Sequence, residues 1–166
     1  MSSLNKNTFL RSLMFYLPTL FLFLSVLNEI DFNYLEIEYF SFNFVYILIF
    51  YWTLKNPHYL SYGSIFIAGL VNDVVTGLPI GISSLCYLLI CAVTAYLRNI
   101  TLTPNFMNDW LSLLFTILLV NSIQVMSLDL IFSIDVNYMR YSINSGFTFV
   151  FYPLFLFLFN NLEKKN

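Results

Sequence analysis

The chain has 166 residues, of which 59 % are hydrophobic, 20 % aromatic and only 10 % charged, with a formal net charge of −2. Soluble domains carry about 25 % charged residues, so this composition excludes a water-soluble fold and predicts one polytopic membrane domain over 1–166. The net charge itself says nothing about nucleic acid, and no basic patch exists to bind it.

Six membrane helices are expected, over about 9–27, 40–54, 59–76, 82–97, 110–130 and 142–159, forming an all-α integral membrane bundle. Lys6 and Arg11 precede the first apolar run as they would in a signal peptide. The run Leu13 to Leu27 is long, however, and Ser25-Val26-Leu27-Asn28 is a poor cleavage site, so an uncleaved first helix is predicted, kinked at Pro18. Between helices 1 and 2, Leu35, Ile37 and Tyr39 alternate with Glu36 and Glu38, a period of two that predicts a short interfacial strand. Helix 2 is short for a span of roughly 20 residues. Helices 3 and 4 form a tight hairpin around Leu78-Pro79-Ile80.

The basic residues orient this bundle. With both termini inside, Lys6, Arg11, Lys55, Arg98, Lys164 and Lys165 all lie inside and only Arg140 lies outside. Aromatic belts agree, with Trp52, Tyr59, Tyr96 and Trp110 at inner helix ends and Tyr34, Tyr39, Tyr138 and Tyr141 at outer ones.

The most informative stretch is Gly69-Leu-Val-Asn-Asp-Val-Val-Thr-Gly-Leu-Pro-Ile-Gly81. Gly69, Asp73 and Gly77 share a helix face at i, i+4 and i+8, a small-residue spacing that lets another helix approach closely. Gly77 and Pro79 then end the helix. Asp73 is out of place, because the dipole of a helix C-terminus disfavours an anion. Asn121, Gln124 and Asn144, with Arg140 just before the sixth helix, fall in the same outer leaflet and are expected to meet Asp73 in a polar cluster. Such a cluster either glues helices through hydrogen bonds of about 0.6–2 kcal/mol or holds something the protein contacts.

Groups for catalysis are scarce. The single histidine, His58, follows Asn56-Pro57 in a loop, and no zinc-protease, Cys-x-x-Cys or phosphate-loop motif is present. Cys86 and Cys91 are five apart on one apolar helix, on different faces, and read as small buried side chains. No enzyme activity, metal or cofactor is expected.

Tyr51-Trp52, Pro57 and the spaced series Gly69-Leu70, Asp73, Gly77, Pro79, Gly81 and Leu85 resemble the bacterial MreD family of rod shape-determining proteins. One departure is Phe42-Asn43 at the start of helix 2, where members often carry Pro-Asp. The resemblance implies a fold similar to the membrane substrate-binding subunits of energy-coupling-factor transporters. It also implies a non-enzymatic component of the elongation machinery in the inner membrane. Its partners would be MreC, the actin-like MreB, and the RodA glycosyltransferase with its penicillin-binding transpeptidase. A different class, a small-molecule binding or transport subunit, is the alternative that an outer polar cluster would support.

The orientation is testable. In a background without Cys86 and Cys91, a cysteine at Glu36 is expected to react with an impermeant reagent added outside, and one at Lys55 to stay unmodified. The reverse pattern overturns the topology.

Overall fold

The computed structural model describes residues 16–27, 42–100 and 105–164. Within them the chain forms six helices: α1 Tyr16–Leu27, α2 Phe44–Lys55, α3 Tyr62–Thr76, α4 Ile82–Ile100, α5 Phe106–Leu130 and α6 Tyr138–Lys164. No strand occurs among the described residues, and the strand expected at 35–39 lies outside them. Three helical segments, Ile82–Ile100, Phe106–Leu130 and Tyr138–Asn161, are long and apolar enough to cross a membrane. The other three are shorter and apolar.

The short α2 is the core. Val45 through Thr53 are buried without interruption, so this helix is apolar all round because protein surrounds it on every side. It packs on α4, α5 and α6, while α3 packs chiefly on α4, and α5 packs on both α4 and α6. Its 12 residues give about 18 Å, a length that suits a helix interior to the bundle. In α1, Pro18, Leu22 and Val26 recur every four residues on the buried side, and Leu20, Leu24 and Leu27 are exposed.

Boundaries shift where capping chemistry decides them. Helix α2 starts at Phe44 rather than near residue 40, because Asn43 caps it, its Oδ1 accepting from Tyr46 N at 3.3 Å. The Asn43 N–H donates to Thr148 Oγ1 on α6 at 2.8 Å, tying the helix entrance to its neighbour. Helix α6 begins at Tyr138, so Arg140 sits in its first turn rather than in a loop before it. The aromatic belt also needs correction. Trp52 is buried between Tyr51, Tyr59 and Phe159, with ring centroids at 5.3, 5.5 and 6.2 Å, and is a core residue.

Trp110 has a specific task. Helix α6 continues through Pro153, which has no N–H to give to the carbonyl of Phe149, four residues back. The indole Nε1 of Trp110 donates to that carbonyl at 3.0 Å, and its ring stacks on Phe149 with centroids 4.7 Å apart. In an apolar interior a lone carbonyl is costly, so the tryptophan on α5 completes the backbone bonding of α6.

Trp110→Phe should therefore destabilise the protein by about 1–3 kcal/mol, read from unfolding in mixed micelles. In a Pro153→Ala background, where residue 153 regains its N–H, the same substitution should cost less than half as much. Equal costs in the two backgrounds would remove this explanation.

Candidate functional site in the hairpin between α3 and α4

Gly77 closes α3 in the left-handed conformation, φ 71°, and the Gly77 and Leu78 N–H groups both return to the Asp73 carbonyl, Leu78 at 3.0 Å. Helix α4 begins five residues later, after Gly81 at φ 106°, a second conformation that suits glycine. This short turn brings the C-terminus of α3 and the N-terminus of α4 to one place. The carboxylate of Asp73, fully buried, occupies it. Its Oδ2 accepts from Gly81 N at 2.7 Å and its Oδ1 from Ser83 N at 2.8 Å.

Asp73 is thus the N-terminal cap of α4, supplied from the neighbouring helix. The dipole of α3 disfavours it, but the free N–H groups and positive end of α4 favour it, and the bonds are short, as expected for a charged acceptor. Around it, Asn72 Nδ2 donates to Ser83 Oγ at 2.9 Å, and Ser84 Oγ donates to the Phe66 carbonyl at 3.0 Å.

Gly69 sets the distance between the two helices. A Cβ there would fall on the Ser84 backbone, 2.5 Å from Ser84 N. The close approach expected for this glycine is present. Gly77 does not share it: a Cβ there meets nothing within 4 Å, and its role is the turn conformation alone. Pro79 lies in the turn, where its carbonyl accepts from Ile82 N at 3.3 Å, and Pro57 lies in the turn after α2.

The polar cluster expected around Asp73 does not form. Gln124 Oε1 accepts from the hydroxyl of Tyr46 on α2 at 3.1 Å. Asn121 Nδ2 donates to Ser145 Oγ on α6 at 2.7 Å. The Asn144 carbonyl accepts from Thr148 Oγ1 within α6 at 2.7 Å, and Arg140 is exposed. The physical reason is that the two oxygens of Asp73 are already taken by backbone donors eight and ten residues away in its own hairpin. Helix glue is the outcome for Gln124 and Asn121, each joined to a side chain on another helix, while the Asn144 contact stays within α6.

Other polar contacts were not visible in the sequence as partners. Lys55 Nζ and Asp109 Oδ2 form an ion pair at 3.0 Å between the last turn of α2 and the first turn of α5, the ends where each charge suits the helix dipole. An acid in a first turn and a lysine in a last turn were the available signals. Thr53 Oγ1 donates to Cys91 Sγ at 3.7 Å, and both cysteines are buried free thiols. His58 is exposed. Among the described residues, no three His, Cys, Asp or Glu side chains gather as metal ligands. The buried donors Trp52 Nε1 and Tyr152 Oη find no hydrogen-bond partner among the described residues.

Because both Asp73 oxygens accept from N–H groups, an amide cannot replace them: its NH2 would face a donor. Asp73→Asn should cost about 1–3 kcal/mol in micelle unfolding. Gly69→Ala should lower folded yield more than Ile67→Leu on the exposed side of the same helix. Wild-type stability in Asp73→Asn, or equal yields for the two α3 variants, would contradict the geometry.

The hairpin is therefore a built joint between two helices, made from the same Gly69, Asp73, Gly77, Pro79 and Gly81 series that carries the resemblance. A model of the family described as rod shape-determining protein MreD matches residues 9–162. Searches of curated proteins and of solved structures find no match. The family match takes in α1 to α5 and all but the last two residues of α6, and the chain belongs to the MreD family of rod shape-determining proteins.

Proposed function

We propose that this protein is a non-enzymatic scaffold of the bacterial elongation machinery, holding membrane and periplasmic components of lateral peptidoglycan synthesis together. The observation that carries this reading is the family match over residues 9–162, which ties the chain to rod shape determination. The partners proposed are MreC and, directly or through it, MreB, RodA and its penicillin-binding transpeptidase. The protein would lie in the inner membrane as a multi-pass chain with both termini in the cytoplasm, the orientation its basic residues favour.

The site chemistry supports a structural role. Asp73, the most conspicuous buried acid, is committed to two backbone N–H groups. Gln124 and Asn121 are committed to Tyr46 and Ser145. The small-molecule alternative drew on a shared polar cluster of these groups, and their dispersal to separate helix contacts removes that support. What is left for function is the exposed apolar surface and the connecting loops.

The test is depletion in the native bacterium with complementation by a tagged chain. Depleted cells should round up, and mild cross-linking followed by affinity capture should recover an MreC homologue and a RodA-type glycosyltransferase. In the Asp73→Asn strain, loss of shape should follow loss of folded protein. Rods that persist on depletion, with neither protein recovered, overturn the proposal. Co-recovery of an energy-coupling ATPase instead would establish the transport reading.

A further inference from the structure

Helix α3 is the shortest of the helices from α3 to α6, and it faces outward. Its 15 residues give about 22 Å, against about 30 Å for a typical hydrocarbon core. Its outward side is apolar: Tyr62, Phe66, Ile67, Val74 and Val75 are all exposed. Its ends are not sealed for burial in lipid. Ser61 makes no side-chain capping bond, which leaves the first N–H groups of the helix needing water. At the other end, Gly77 and Leu78 both bond the Asp73 carbonyl, so the carbonyls of the final turn also need water.

A helix longer than the bilayer can tilt, as α5 with 25 residues and α6 with 27 can. Tilting only shortens the span of a helix that is already too short. Bending the lipid is then the remaining adjustment, since exposed unpaired backbone cannot enter hydrocarbon. Nor does this face suit a close helix partner. Gly69 is turned inward onto Ser84, and the exposed side carries bulky Phe66, Ile67, Val74 and Val75, without the small residues that let helices approach.

We propose that α3 is a bilayer-thinning edge: the lipid along it is drawn down to about 22 Å, and short-chain phospholipid is its preferred occupant. On the α5 side the hydrocarbon keeps its ordinary thickness. The protein thus sits in a bilayer of unequal height, thin at the rigid hairpin joint and full at the longer helices.

The test uses the full chain in vesicles of phosphatidylcholine, with a fluorophore on Ile67→Cys in α3 or on Phe115→Cys in α5. Labelling is done under conditions in which the buried Cys86 and Cys91 do not react. Dibrominated phosphatidylcholines of 14 and 22 carbons compete as quenchers. At Ile67 the 14-carbon lipid should be preferred roughly threefold or more, because mismatch costs a fraction of a kcal/mol per Å. At Phe115 the preference should be smaller. Val74→Cys gives a second position on α3 should Ile67→Cys be poorly folded. Equal preference at the two helices, a preference for 22 carbons on α3, or no quenching on α3 because a second copy covers it, would each overturn the proposal.

Discussion

A buried carboxylate joining the ends of two antiparallel helices is the interaction on which this fold depends. Buried inside the protein, the free N–H groups at the start of α4 cannot turn to water, and an acid at a helix end cannot easily be hydrated. Asp73 resolves both problems at once by accepting from Gly81 and Ser83. The register of the hairpin follows from it. With Asp73 seated, Gly69 meets Ser84, Ser84 reaches the Phe66 carbonyl, and Asn72 reaches Ser83. Helix α4 then presents Cys86, Tyr87, Ile90 and Cys91 to the interior, where Tyr87 meets Tyr46 edge-on at 6.0 Å and Cys91 meets Thr53.

Polar pairing organises the rest of the bundle too, mostly between groups on neighbouring helices. Asn43 caps α2 and ties its own N–H to Thr148. Trp110 replaces the hydrogen bond that Pro153 cannot make. Tyr51 donates to Asn160 at 2.9 Å at the far end of the contact between α2 and α6. Between these fixed points the two helices are joined by aromatic rings, Phe42 on Phe151 at 5.0 Å, Phe44 on Phe155 at 4.9 Å and Phe50 on Tyr152 at 5.7 Å. Ring packing supplies area, and the hydrogen bonds supply register.

What could be read in the sequence was local, and what could not was which distant helix each group would meet. The helix stop at Gly77, the turn at Pro79 and the close approach at Gly69 were legible because each follows from one residue type and its spacing. The misfit of Asp73 in its own helix was legible too. Side-chain chemistry points to a partner across the bundle, among Asn121, Gln124 and Arg140, whereas the partner lies within the hairpin, because the free backbone N–H groups that start α4 leave no mark in residue type. Trp52 and Trp110 look interfacial from their place near helix ends. Burial of a ring depends on which helices surround it, and no periodicity reports that. The departure at Phe42-Asn43 is mild in the light of the fold: asparagine and aspartate are both good N-caps, so Asn43 keeps the capping chemistry an aspartate would bring.

These assignments change how the shared motif bears on the proposed scaffold. Gly69, Asp73, Gly77 and Gly81 carry the resemblance, yet each is accounted for by a turn, a cap or a close helix contact inside one hairpin. Trp52 is buried in the core behind Tyr51 and Phe159. Gly69, Asp73 and Trp52 are poor candidates for partner recognition, since their surfaces are already covered, whereas Gly77 and Gly81 have open space beside them at the turn. On the proposed scaffold reading, recognition would fall to exposed side chains such as Val150, Leu154 and Phe157 on α6. A family can keep the joint constant and vary those faces to fit its own partners. On that reading the motif is a frame for the exposed faces, and substitutions at Gly69 or Asp73 would act on partners through folding rather than through contact.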